Sequence, residues 1–402
     1  MRTPPPPELM ERLRGLPAFR PLLDELADTE GVYVVGGAVR DLLLGGEPHE
    51  LDLVVEGDAA ALARRLGQAR VHDRFGTSTV ALDGFTYDLA RARSETYSRP
   101  GALPDVEPAT LERDLARRDF TVNAMAIGLA DGRLHSVAHA LDDLDRRRLR
   151  VLHDGSFIDD PTRLLRLARY AGRLRFTVEP RTLELVGEAV RSRALDTVTG
   201  PRIGNELRLL AREPDPVAAL RALRELGLDA AIHPRFGLDD PDLARRALKL
   251  LPGDGRSDLL VSAAAARQIP RDELSELLDR FGFEARARET IVNAAAGADA
   301  VARALADAER PSAIAEAVGA GTPELVALAG ALGPEQQARE WLERLRHVRL
   351  EIDGRDLATA GVAEGPDVGR GLRAALADKL DGLTAGPEDE LARAVRAAKA
   401  SG

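Results

Sequence analysis

The stretch VYVVGGAVRDLLLGGEPHELDLVV, residues 32–55, decides the fold. Val32 to Val35 is a short apolar run rich in β-branched residues, which fits a strand. Gly36-Gly37 breaks it, and AVRDLLLG then carries helical spacing. A second strand pattern covers Glu50 to Val55. Strand, glycine turn, helix and strand together open a mixed α/β unit. Two glycines let the backbone approach a ligand closely, and the free N–H groups of a new helix favour an anion such as phosphate. Arg40, on the first helical turn, adds a bidentate phosphate donor. The turn is neither GxxxxGK[ST] nor GxGxxG, and by itself it reads equally as a tight strand-to-helix connection.

Glu50 and Asp52 stand at positions i and i+2 of the second strand, so both carboxylates face one side. Like charges held together raise each other's pKa unless a cation lies between them. Mg²⁺ suits the place, because it takes carboxylate oxygens together with substrate phosphates. Taken singly, the pair also reads as two exposed acids on an edge strand. A phosphate-cradling turn feeding a strand of paired acids is more specific, and is the plan of a metal-dependent nucleotidyl transferase.

Outward from this stretch, residues 8–29 carry Leu9, Leu13, Leu16, Leu22 and Leu23 at helical intervals and are expected to form one amphipathic helix. Strand patterns recur at Ser78–Leu82 and Phe85–Ala90. Asp88 within the latter offers a third carboxylate, with a surface pair to Arg91 as the plain alternative. RRDFTVNAMA, residues 117–126, sets two guanidinium groups and one acid, Asp119, against an apolar face. Arg118 beside a triphosphate would neutralise charge on a leaving pyrophosphate.

From Pro161 onward strand signals nearly vanish, and Gly172, Gly200-Pro201 and Gly333-Pro334 punctuate an Ala-, Leu- and Arg-rich helical region. Its first helix, DDPTRLLRLARY (159–170), has acids and Pro at its start. Arg163, Arg166, Arg169 and Arg173 follow at spacings of three, three and four and line one face. That stripe is a solvated face or, since adjacent like charges repel, a seat for polyphosphate or RNA.

Composition bounds the reading. The 402 residues are 44% apolar and 30% charged, enough for two or more packed units, and there is no Cys to form disulfides, thiolate metal sites or Cys nucleophiles. No run approaches the roughly 20 apolar residues of a membrane span, and MRTPPPPELMERLRG lacks the apolar core of a secretory signal, so a cytoplasmic protein is expected. Net charge is −10, against a simple nucleic-acid coat, yet 53 of the 56 basic residues are Arg. Aromatics at 3% disfavour stacked single-strand readout and suit recognition of duplex RNA by shape and phosphate.

GGAVRDLLLG with ELDLVVEGD, then RRDFTVNAMA, then DDPTRLLRLARY, resemble in order and spacing the class II tRNA nucleotidyltransferases, the family of CCA-adding enzymes and bacterial poly(A) polymerases. ETYSRPGALPDVEP, PRIGNEL and the C-terminal IDGRDLATAGVAEGPDVGRGLRAAL add to the likeness. The resemblance implies a polymerase-β-like α/β head with a mixed sheet, followed by an elongated all-α neck, body and tail. The expected division is an N-terminal helix at 1–30, a head at 31–150, a neck at 151–235, a body at 236–346 and a tRNA-binding tail at 347–402. It further implies that Gly36, Gly37 and Arg40 hold the phosphates of an incoming nucleotide. Glu50 and Asp52 would bind Mg²⁺, with Asp88 assisting as a third ligand or base. Arg118 and Asp119 would contact the nucleotide, Asp160 and Arg163 would template its base, and Arg166 and Arg169 would complete the contacts. The first metal carboxylate of the family is usually Asp; here Glu50 has the same ligand chemistry on a stem one methylene longer. The implied activity is addition of C and A from CTP and ATP to the 3′ end of tRNA, with no protein partner. CC-only or A-only addition, poly(A) synthesis and non-catalytic RNA binding are the alternatives.

Overall fold

A computed structural model describes residues 5–48, 51–72 and 76–400. Glu50, one of the two expected metal carboxylates, lies outside the described residues. The contact pattern divides the chain into two compact units, Met1–Glu206 with Glu225–Ala231 and Leu207–Arg224 with Ile232–Gly402.

The first unit opens with two helices, α1 (Pro6–Gly15) and α2 (Arg20–Leu26), where one was expected over 8–29. Pro17 causes the break: it disfavours helical backbone at the preceding residue, and Leu16 is extended at φ −90°, ψ 120°. The leucine face survives the break, with Leu9, Leu13, Leu22 and Leu26 fully buried.

The strands follow as β1 (Val32–Val35), β2 (Asp52–Val55), β3 (Gln68–His72), β4 (Thr77–Leu82) and β5 (Phe85–Arg91). Helix α3 (Gly37–Leu43) joins β1 to the segment before β2, and α4 (Ala59–Leu66) joins β2 to β3. A side hairpin, β6 (Arg93–Thr96) with β7 (Asp105–Pro108), precedes α5 (Leu111–Ala116), and β8 (Met125–Gly128) and β9 (Leu134–Ser136) complete the main sheet. Its order is β3-β4-β5-β2-β1-β8-β9. Every pairing is antiparallel except β2 with β5, so the sheet is mixed as expected. Val35, Val54 and Ala126 from its centre pack with Leu111 and Leu115 of α5, all 3% exposed or less.

Two registers position the site. Asp52 is the direct partner of Asp88 across the parallel β2–β5 pair. The β4–β5 hairpin closes through Asp83-Gly84, at φ 48° and 84°, with Leu82 opposite Phe85. Two successive positive φ values match the twist of the flanking strands, which is why Gly and Asp serve there.

The helical part begins with α6 (Ala140–Asp145) and α7 (Ser156–Asp159), then α8 (Thr162–Leu174), α9 (Pro180–Arg191) and α10 (Gly200–Ala211). Gly172 does not end α8 as expected; it is buried inside the helix, which stops at Arg175 in the left-handed conformation. Among its described residues the second unit contains helices joined by loops and no strand. Leu260, Val326 and Leu328 are fully buried there, and Trp341, the single tryptophan of the chain, is 8% exposed. Its last two helices, Pro366–Leu380 and Pro387–Lys399, meet where Gly371 faces Ala394 so closely that a Cβ would lie 2.5 Å from the Ala394 carbonyl oxygen. Among the described residues no helix is long and apolar enough to cross a membrane.

Candidate nucleotide-binding site

Strand β1 ends at the edge of a cavity of about 670 Å³ in the first unit. Gly36 takes φ 71° there, a conformation that glycine adopts without strain. A Cβ at this position would lie 2.9 Å from Arg118 Nη1, so the missing side chain is also what admits Arg118. Gly36 and Gly37 both line the cavity. Arg40 does not. Its guanidinium is turned inward and 1% exposed; Nη1 donates to Asn123 Oδ1 at 2.6 Å and Nε to Asp41 Oδ1 at 2.8 Å. Arg40 braces the turn from beneath, with its donors engaged by Asn123 and Asp41.

Asp52 and Asp88 are exposed side-by-side carboxylates that line an adjoining cavity of about 390 Å³ with Thr79, Arg117 and Arg118. Asp88 accepts from Thr79 Oγ1 at 2.7 Å. Asp52 lines both cavities and so stands where the glycine turn and the acidic pair meet. Among the described residues no three His, Asp or Glu side chains converge on one point. The donor set still fits a hard divalent cation, since Mg²⁺ commonly takes only one or two carboxylates and fills its octahedron with substrate phosphates and water.

Arg117 and Arg118 are both held by Asp114, which is fully buried on α5. Asp114 accepts from Arg117 Nη2 at 2.6 Å and Arg118 Nη2 at 3.0 Å. Burial alone would push its pKa up, but the two guanidinium groups outweigh that and hold it below the usual carboxylate range. Arg117 also donates to Glu95 Oε1 at 2.8 Å, and Tyr97 donates to Glu95 Oε2 at 2.9 Å. Burial, reinforced by Glu95, moves the Tyr97 phenol above its ordinary range. Tyr97 and Glu95 both line the larger cavity.

Helix α8 forms the facing wall. Asp160 Oδ1 accepts from Thr162 N at 3.1 Å, Thr162 Oγ1 at 2.6 Å and Arg202 Nη2 at 2.8 Å, an arrangement that fixes the carboxylate at the helix start. Arg163 is 5% exposed; its Nη2 donates to the Arg117 carbonyl at 2.7 Å, while its Nη1, also buried, has no hydrogen-bond partner. Arg166 donates through Nε and Nη2 to Asp119 Oδ2 at 2.8 and 2.5 Å. Asp119 Oδ1 accepts from Phe120 N at 2.8 Å and Asn123 Nδ2 at 3.1 Å. Burial disfavours the Asp119 charge, yet Arg166 and these donors lower its pKa to about 2. Glu206 of α10 stands 3.7 Å from Arg166 and 3.8 Å from Arg169, and burial raises its pKa.

The arginine stripe is therefore neither a plain solvated face nor wholly reserved for outside anions, since Asp119 and Glu206 interleave with it. The structure brings Gly36, Gly37, Asp52, Arg118, Asp119, Asp160, Arg163 and Arg166 to one cavity. Asp88 belongs to the adjoining cavity and Arg40 to the interior. Arg169 packs over the ring of Tyr170, 4.9 Å from its centroid. Residues not singled out by sequence reasoning are Asp114, Asn123, Tyr97, Arg202 and Glu206. Asp114 was within reach of it, since it precedes Arg117 and Arg118 by the three and four residues that place side chains on one helical face.

Residues 32–150 match the family model of the poly(A) polymerase head domain. A CC-adding tRNA nucleotidyltransferase of Deinococcus radiodurans is 37% identical, over 92% of this chain and 91% of its own length. The chain belongs to the class II tRNA nucleotidyltransferase family. Another of its relatives, the A-adding tRNA nucleotidyltransferase of Geobacter sulfurreducens, is 34% identical over 91% of this chain. The chain spans about half the length of that relative, 45%. Among solved structures of the family, the Thermotoga maritima CCA-adding enzyme complexed with tRNA superposes with a TM-score of 0.76 at 28% identity, covering 98% of this chain and 99% of that one. Family membership implies use of a divalent metal, which the oxygen donors of Asp52 and Asp88 suit.

Proposed function

We propose that this chain adds CMP and AMP units from CTP and ATP to the 3′ end of tRNA, building CCA without a nucleic-acid template and releasing pyrophosphate in the cytoplasm. The observation that carries the reading is the unsatisfied Nη1 of Arg163 in the cavity wall, close in sequence to the fixed carboxylate of Asp160. A buried charged donor left without a partner is costly, and a ligand acceptor removes that cost. An Arg donor beside an Asp acceptor matches cytosine, whose amino group adjoins N3 and O2, and adenine, whose amino group adjoins N1. Uracil and guanine offer carbonyl and N–H in the opposite order and leave both side chains frustrated.

The phosphates lie in this reading against the Gly36-Gly37 turn, which lines the cavity and opens a helix whose first N–H groups favour an anion. Arg118, held rigid by Asp114, meets the charge that builds on the leaving pyrophosphate. Asp52, with Glu50 as its companion, would hold Mg²⁺, and Asp88 would serve as a third ligand or as a base. Bound there, a divalent ion would supply Lewis acidity to favour the tRNA 3′-hydroxyl as nucleophile and positive charge to offset that of the triphosphate. Residues 31–150 act as the nucleotidyltransferase head, 151–235 as the neck with the base template, 236–346 as the body and 347–402 as the part that meets tRNA.

A second reading, addition of CC alone or of the terminal A alone, is favoured by the names of the two relatives above. Incubation with tRNA lacking one, two or three 3′ nucleotides, together with labelled CTP or ATP, separates the readings. Full repair of the shortest acceptor supports CCA addition, arrest after CC or acceptance of ATP alone supports divided labour, and a long A tract refutes the tRNA assignment. Asp52→Ala is expected to lower incorporation on the order of a hundredfold or more. Unchanged incorporation would rule out the metal role of this strand.

A further inference from the structure

One aromatic ring stands where three guanidinium groups meet. The Cζ atoms of Arg40, Arg166 and Arg169 lie 5.7, 5.8 and 4.9 Å from the centroid of Tyr170. Phe120 meets the same ring edge-on, with centroids 5.8 Å apart and planes at 83°. Arg166 Nη2 also donates to the Tyr170 hydroxyl at 3.5 Å. Tyr170 lines the larger cavity. Three like charges around one point repel, and the carboxylates nearby offset this unevenly. Asp41 engages Arg40 and Asp119 engages Arg166, whereas Glu206 stays 3.7 to 3.8 Å from Arg166 and Arg169, beyond hydrogen-bond reach. The negative face of an aromatic ring attracts cations within about 6 Å and orients planar guanidinium groups by stacking. The ring thus connects the brace under the glycine turn, through Arg40, with the arginine face of α8, and Phe120 clamps it in place.

We propose that Tyr170 is a positioning residue for the incoming triphosphate. Its ring holds Arg166 at the cavity wall and packs against Arg169 and the buried Arg40 beneath the glycine turn, so that the phosphates meet a guanidinium already in place and backed by two further charges. The inference rests on the nucleotide-binding reading of the cavity. It gives the aromatic side chain at this position a task that apolar bulk cannot perform.

The full chain and its Tyr170→Leu and Tyr170→Phe variants test it, through equilibrium binding of CTP and ATP with Mg²⁺ and through steady-state addition to tRNA. Tyr170→Phe keeps the π face and is expected within about twofold of the parent in Kd and KM. Tyr170→Leu is expected to raise Kd and KM for both triphosphates on the order of tenfold. Its kcat stays within about threefold, and its choice between CTP and UTP is unchanged, because Asp160 and Arg163 lie about two helical turns away. Should the Leu variant lose its cooperative melting transition, Tyr170→Met replaces it under the same criteria. Triphosphate binding equal to the parent's, a fall in kcat at constant KM, or a Phe variant as impaired as Leu each overturns the inference. A parent chain that binds neither triphosphate overturns the functional reading itself, whereas a parent that binds both beside an equal Leu variant overturns only the role of Tyr170.

Discussion

Asp119→Asn probes the strongest electrostatic claim made for the first unit. The carboxyl is 7% exposed and its pKa is lowered from 3.8 to about 2. At 1.36 kcal/mol per pH unit, that lowering corresponds to roughly 2 to 3 kcal/mol of folding stability. The sign follows from the direction of the shift. The fold favours the charged form, so the stabilisation is complete above pH 4 to 5 and declines as pH falls towards 2. The variant cannot titrate here and also leaves the half-buried Arg166 beside an amide, so its deficit at pH 7 is expected at about 2 to 4 kcal/mol. The titrating part of that deficit is expected to halve by about pH 3. Urea unfolding followed by circular dichroism, with hydrogen exchange over residues 117–128, reads the transition of the first unit. Fluorescence of Trp341 reads the other unit and supplies an internal control, since the chain has no second tryptophan. A deficit below 1 kcal/mol at pH 7, or one equally large at pH 3, would refute the account.

Arg163→Ala is expected to relax discrimination of CTP and ATP against UTP and GTP by roughly 10- to 100-fold, the loss of one well-placed base contact. Single-turnover addition with each triphosphate measures it, and intact selectivity refutes the template. Gly371→Ala places a methyl 2.5 Å from the Ala394 carbonyl oxygen and is expected to cost about 1–3 kcal/mol. The Trp341 melting transition should fall, with the first unit unaffected; an unchanged melt would show that the two terminal helices have slack.

What was legible in the sequence was local. The Gly36 turn, the strand through Asp52 and the start of α8 announced themselves through chain chemistry that acts over a few residues: positive φ, alternation, and Asp-Pro at a helix start. The order of motifs gave the family and therefore the head. What escaped was decided by partners distant along the chain. The inward turn of Arg40 was not legible because nothing near it in sequence shows Asn123, 83 residues on, accepting a hydrogen bond from its Nη1. The carboxylate of Glu206 enters the arginine stripe from another helix, so periodicity along α8 could not reveal that the stripe was already partly neutralised. Pro17 was the opposite case: the residue that divides the first helix was in plain view, and the leucine spacing on either side masked its effect.

The two-residue turn at Asp83-Gly84 has a consequence for how homologous chains can differ in length. Because β5 touches both β4 and β2, its registration along one neighbour is bound to its registration along the other. Loss or gain of a single residue at that corner would slide β5 by one step and swing Asp88 to the opposite surface of the sheet, away from Asp52. Natural insertions and deletions should therefore be purged at this corner and accumulate instead in connections that leave the alignment of the two aspartates untouched.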